Sequence, residues 1–300
     1  MDRIFKALTF EDAAVIRPFF GLRPNNTCDS ECVDTFIWKK YYAIEYCVVD
    51  GRAIEWKSVR DGCVQTSLPL CRAEDLRHYF YDTKEYFNNV LGLKLFIELA
   101  DEAAVRLLDL DPALFKVTEC TDAADYLYSG DALRTLSGKK YHKKKNHINA
   151  FMKEYEGRYE YRTLHTQDSP MICGFLDSWL EQKGGAEELL DHETEGVRDV
   201  VSCCEALGAR MGGIFIDGRL KAFSMGSYNS AMDMAVIHAE KADASVNGLY
   251  SFINQQFLIH EFPTAATVNR EDDVGLEGLR QAKLSYHPIG YARKFNIEEL

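Results

Sequence analysis

The segment GGIFIDGRLKAFSMGSY, Gly212 to Tyr228, restricts what this chain can fold into more than any other. Strand-forming residues flank Asp217-Gly218, a dipeptide suited to the positive backbone angles of a tight hairpin turn. MDMAVIHAEKAD follows as another strand, then a helical pattern from Leu249 to Glu261, then the short strand TAATVN. Helices, a hairpin, a strand, a helix and a further strand in that order fit layers of helix around a mixed sheet. Upstream, residues 137–155 read as helix, YEYRTLH as strand, and 170–207 as two helices separated near Gly184-Gly185. The first half has the same style. YYAIEYCVVDGRAIEWKSV carries a second hairpin around Asp50-Gly51, with helical patterns over 9–20 and Glu74 to Val90. KLFIEL and ALFKVTEC read as strands on either side of a helical DEAAVRLLDLD. An α/β (α+β) chain of two units is expected, 1–125 and 126–300, each a mixed sheet flanked by helices.

Composition narrows the functions. Three hundred residues, 46% hydrophobic, supply apolar material for two cores. A formal net charge of −12 gives no global attraction to phosphate or anionic lipid, so DNA is not an expected partner and any polyanion has to meet a local patch. The nine cysteines include no CxxC pair, so buried reduced thiols are expected and a metal centre is not. The first residues carry acids where a signal peptide would be apolar, and no window approaches about 18 apolar residues, so a cytoplasmic protein without a transmembrane segment is expected.

Two stretches carry candidate chemistry. In SGKKYHKKKNHINAFMKEY, helical spacing gathers Tyr141, Ile148, Met152 and Tyr155 on one face, while Lys139, Lys143 and Lys140, Lys144 form i,i+4 pairs elsewhere. Like charges so spaced cost a helix roughly 0.2–0.5 kcal/mol per pair, which an anion would offset. Lys145 falls at the edge of the apolar stripe. The second stretch, NREDDVGLEGLRQAKLSYHP, begins at the end of a strand, where open α/β sheets commonly bind ligands. Arg270 offers a rigid fork for carboxylate or phosphate, Glu271 and Asp272 could hold that fork or bind an amine, and Arg280 and Lys283 sit on a short helix ending before Pro288. Between the two, alternation along AVIHAEKAD places His238 and Glu240 on one strand face, within reach of a common substrate.

Asn269 to Asp273, Gly275 to Arg280, Ala282-Lys283, Ser285-Tyr286 and Pro288, together with Leu136 to His142 and Lys144 to His147, resemble the signature of the phosphatidylglycerol lysyltransferase C-terminal domain family. The resemblance implies two tandem GNAT-like acyltransferase domains, related to Fem-type aminoacyl transferases. It also implies an aminoacyl-tRNA donor, no required cofactor, and Lys139, Lys140, Lys144 and Lys145 on the donor side. Asn269, Arg270, Glu271, Arg280, Lys283 and Tyr286 would line the reacting cleft, with Glu240, Glu271 or His238 as base and Tyr286 as acid. The acceptor expected is an amine or hydroxyl on a small molecule, a peptide or a lipid headgroup. Acyl-CoA is the alternative donor, disfavoured because Ala242 to Leu249 holds one glycine and an acid where a diphosphate cradle needs glycines. A silent binding module using the same cleft is the third reading.

Overall fold

The computed structural model describes residues 3–184 and 188–300; Gly185, half of the expected break between two helices, lies outside them. In the first half, β1 (Lys6–Ala7), β2 (Glu45–Val49), β3 (Ala53–Arg60) and β4 (Cys63–Gln65) form one antiparallel sheet, with the Asp50-Gly51 hairpin joining β2 to β3. Helices α1 (Ala13–Phe20), α2 (Cys32–Trp38) and α3 (Leu76–Tyr86) precede β5 (Phe96–Asp101), α4 (Glu102–Leu108) and β6 (Phe115–Glu119).

The second half is a seven-stranded sheet. After β7 (Asp125–Ser129) come α5 (Gly130–Thr135), α6 (His142–Glu154), β8 (Tyr159–Leu164), α7 (Ser169–Lys183), α8 (Glu188–Val201) and α9 (Cys204–Leu207). Then follow β9 (Arg210–Ile216), β10 (Arg219–Asn229), β11 (Met234–Ala242), α10 (Leu249–Glu261), β12 (Thr267–Asn269), α11 (Glu277–Leu284), β13 (Gly290–Ala292) and β14 (Lys294–Glu299). The sheet order is β13-β7-β12-β11-β10-β9-β8, antiparallel except for β11 beside β12, which α10 connects. The last strand returns to the first half: β14 lies between β5 and β6 as the middle of a separate three-stranded antiparallel sheet.

Cores lie on both faces of the large sheet. On one, Phe252, Ile253, Phe257 and Leu258 of α10 pack with Ala235, Ile237 and Val268. On the other, Phe36, Ile37 and Trp56 of the first half pack with Val197, Phe223 and Ala239, so the two halves share a core.

Two features open a gap at the centre. Pairing of β11 with β12 stops at Val236 and Asn269, and beyond that point the segment after Asn269 leaves the ladder. In the same place β11 carries a bulge: Met225 pairs Ala239 and Gly226 pairs Ile237, leaving His238 as the extra residue. The bulge overturns the alternation expected for this strand. His238 turns toward Ser227, on the face shared with the first half, whereas Glu240 turns to Asn254 of α10 on the other face.

A candidate transfer site between two sheet faces

The segment from Asn269 to Asp273 is held by groups the chain spends on its backbone. Asn269 is fully buried; its amide donates to the Asn26 carbonyl and to Asp125, each at 2.8 Å, and its Oδ1 accepts the Glu271 N–H at 2.7 Å. Lys283 is buried as well. Its ammonium donates to three successive carbonyls, those of Arg270, Glu271 (3.0 Å) and Asp272. Together they hold Glu271 at φ 57°, a left-handed conformation that costs a non-glycine residue roughly 1–3 kcal/mol. Asn269 and Lys283 are therefore positioning residues. Arg280 pairs with Asp273 at 2.9 Å and with Asp122, outside the gap.

Within the held segment, neighbouring side chains part to opposite faces. Arg270 goes to the α10 side, where its Nη2 meets Glu240 at 3.0 Å while its Nη1 is buried without a partner among the described residues. Both oxygens of Glu240 are occupied, one by Arg270 and the other by the Asn254 amide at 2.9 Å. Among the described residues the Asn254 Oδ1 is buried and unpartnered too. Tyr286 lies beneath, with the Arg270 guanidinium 4.8 Å and the Lys144 ammonium 3.9 Å from its ring centroid. Its hydroxyl points inward to Ser251 Oγ at 3.3 Å, and burial raises its pKa.

The lysine-rich helix and the late segment meet here. Tyr141 donates to the Tyr286 carbonyl at 3.2 Å and His287 bonds the Lys140 carbonyl at 3.1 Å. Lys139, Lys140 and Lys145 are exposed; Lys144 is the half-buried one, and burial beside Arg270 lowers its pKa to about 8.

Glu271 goes to the other face. Its Oε1 is 2.9 Å from Nδ1 of His238, whose Nε2 is 2.9 Å from Ser227 Oγ. Burial lowers the His238 pKa to about 4, so the imidazole is neutral near pH 7 and orients Glu271 rather than carrying charge. Burial raises the Glu271 carboxyl well above its usual value. A quarter of its side chain is exposed, whereas that of His238 is fully enclosed.

Beneath this lies a buried ion cluster. The Lys294 ammonium is 2.7 Å from Asp125, 2.5 Å from Asp29, 3.7 Å from Asp272 and 3.3 Å from the Cys28 sulfur. Burial pulls its pKa down, but Asp125 and Asp29 outweigh that and hold it charged. Cys28, Asp29 and Asp125 bring ligand atoms within 4.8 Å of one another, yet Lys294 already fills that place. Cys28, Asp34 and Glu271 are equally close, but burial keeps the Cys28 thiol protonated, leaving two carboxyls and no soft ligand.

At the start of α10, where a diphosphate cradle is the alternative, the Gly248 backbone packs on α6: an added Cβ would lie 2.2 Å from the His147 carbonyl oxygen. Asp243 in the same turn is tied to Lys221 and Ser245. Helix α6 thus closes the Gly248 end of the turn, while Ala244, Ser245 and Asn247 stay exposed.

Ser227, Asn254, Asp34 and Lys294 are site residues that sequence reasoning passed over. A buried asparagine in an apolar helix and an acid inside CVDTFIW are the signals that mark two of them.

The profile of the family described as phosphatidylglycerol lysyltransferase, C-terminal, matches residues 22–297. Among solved structures, a conserved protein of unknown function from Bacteroides thetaiotaomicron overlays with TM-score 0.90 and 26% identity, covering all of both chains. L-PGS from Bacillus licheniformis overlays with TM-score 0.68 and 13% identity over 94% of this chain and 90% of that one, and FemX with 0.60 and 10% over 98% and 96%. These likenesses show the fold, a tandem GNAT arrangement. An uncharacterized protein of Mycoplasmoides gallisepticum is 25% identical over 185 residues, 59% of this chain and 56% of that protein, so the match spans about half of the relative's length. Among the described residues no helix is long and apolar enough to cross a membrane.

Proposed function

This chain belongs to the phosphatidylglycerol lysyltransferase C-terminal family, and on that premise we propose that it transfers an aminoacyl group from the ester of an aminoacyl-tRNA to an amine or hydroxyl acceptor. The observation that carries this reading is the pair of cationic donors above Tyr286: a buried Arg270 Nη1 without a partner and the Lys144 ammonium. An ester carbonyl there gains negative charge when attacked, and donors fixed in a desolvated place stabilise that charge more than water does. The unpartnered Asn254 Oδ1 on the far side of Glu240 suits a donor group of the same ligand, such as an amine or ribose hydroxyl.

In the transfer the acceptor's lone pair attacks the ester carbonyl carbon. The bond to nitrogen or oxygen forms, the carbon–oxygen bond to the ribose breaks, and the ribose oxygen leaves with a proton. Glu271 takes the acceptor's proton, and Lys144, with a pKa of about 8, supplies one to the leaving oxygen. The ester is already activated, so positioning supplies much of the rate.

The test incubates the protein with pools of labelled aminoacyl-tRNA and candidate acceptors. Protein-dependent transfer from at least one pool, lost in Arg270→Ala, is expected; the absence of any transfer or deacylation from every pool would end this reading. Coenzyme A at millimolar concentration is expected to leave the melting temperature unchanged.

A further inference from the structure

A cavity of ≈ 220 Å³ opens on the side of Glu271 away from Arg270, between the first half of the chain and the segment 271–274. Phe20, Trp38, Tyr42 and Trp56 give it aromatic walls, and Asp34, Glu98 and Glu271 give it carboxyls. Most charges along it are matched. Arg23 grips Asp101 with two bonds of 2.9 and 2.7 Å, Lys294 serves Asp29 and Asp272, and Gln65 and Arg60 attend Glu98.

Asp34 is the exception. It is 7% exposed, lines the cavity, and has no hydrogen-bond or ion-pair partner among the described residues. Its carboxyl lies with that of Glu271 in a group whose ligand atoms fall within 4.8 Å of one another. A buried carboxyl without a donor is costly, and a ligand that supplies the donor removes the cost. Burial, with Glu271 and Asp29 adding to it, holds the Asp34 carboxyl well above its usual pKa.

We propose that this cavity is the acceptor site of the transfer reaction and that its occupant is a small primary amine, an ammonium on an aliphatic or aromatic stem, seated between Asp34 and Glu271. The inference rests on the transferase reading and specifies its acceptor. A cation on an apolar stem matches carboxyls at one end and aromatic faces along the walls. Among the described residues the cations along it, Arg23 included, each face a carboxylate partner, and a phosphate-bearing acceptor meets acids of its own sign. The ester of the donor suits the opposite face, where Arg270 and Lys144 stand. The ammonium loses one proton to Glu271 or Asp34. Its lone pair then attacks the ester carbon, the nitrogen–carbon bond forms as the ester bond breaks, and the nitrogen's second proton balances the one carried away by the ribose oxygen.

Calorimetric titration with pentylamine, 1,5-diaminopentane, pentan-1-ol, glycerol 3-phosphate and magnesium ion tests the cavity on the wild-type chain and on Asp34→Asn. The amines are expected to bind at least tenfold more tightly than the alcohol or the phosphate, and Asp34→Asn to weaken them at least tenfold. A second arm adds charged tRNA pools and looks for the amide of the bound amine by mass spectrometry. Equal affinity for alcohol and amine, binding of magnesium alone, or unchanged amine affinity in Asp34→Asn overturns the cavity assignment. Transfer to other acceptors with none to the amine overturns the acceptor role while sparing the transferase reading. Tight amine binding with no transfer to anything overturns the transferase reading instead.

Discussion

Lys144 and Asp34 show how much a single side chain's surroundings decide. Lys144 keeps an ammonium over the Tyr286 ring with a pKa lowered to about 8. If that ammonium steadies the carbonyl oxygen, kcat falls as pH rises through about 8, and Lys144→Met lowers kcat on the order of 100-fold and removes that limb. A pH–rate profile of both proteins checks it; an unaltered alkaline limb in the variant contradicts the role. Asp34 has the opposite sign. Its folded carboxyl keeps a proton that the unfolded chain gives up near ordinary carboxylate pKa, so its contribution to stability is greatest in acid and is lost as pH rises through the folded value. Asp34→Asn is expected to be more stable than wild type at pH 8 by about 1–2 kcal/mol, measured by urea unfolding, with the gap closing toward pH 4. A basic patch near residue 140 was legible in the lysine spacing. Which lysine enters the site was not, because that depends on how α6 rotates against Tyr286 and α10. Asp34 gave no period or motif to read, since only the tertiary enclosure of α2 makes its carboxyl unusual.

At the scale of elements, the centre of the site is a ladder that ends and a bulge that starts. Helix α10, Leu249 to Glu261, was readable in its approximate extent, because its apolar pattern agrees with the packing. Strand alternation misled at His238, since a period of two assumes that each residue has one opposite partner, and the bulge breaks that assumption. The polar run after Asn269 reads in the sequence as a ligand site, and within it the Lys283 ammonium and the Asn269 amide bond backbone groups, which no local pattern announces. Lys283→Met leaves three carbonyls without their donor and releases Glu271 from its left-handed backbone. The variant is expected to lose about 2–4 kcal/mol, with faster amide exchange concentrated in residues 270–274. Uniform protection across that segment would contradict the clamp.

For the molecule as a whole, the tandem style of the two halves could be seen in the repeated helix and hairpin order. The pairing of the last strand could not, because KFNIEE finds its partners about 200 residues upstream through contacts that leave no local mark. Its first residue is the buried Lys294, which neutralises acids from both halves. Lys294→Met leaves Asp125 uncompensated in the interior and is expected to cost about 3–5 kcal/mol by denaturant titration. Removing residues 294–300 takes the middle strand from the three-stranded sheet, and the truncated chain is expected to show no cooperative melt of the first half.

The position of β14 also bears on how the polypeptide matures on the ribosome. Its hydrogen-bonding partners β5 and β6 leave the exit tunnel well before it, because the strand that belongs between them is translated only after every strand of the seven-stranded sheet. The amino-terminal half therefore waits with an open seam throughout synthesis of the other, exposing two unpaired edges to passing chains. Holdase chaperones on the nascent chain should crosslink to β5 and β6 until β14 emerges, and slowing translation should lengthen that exposure rather than help folding.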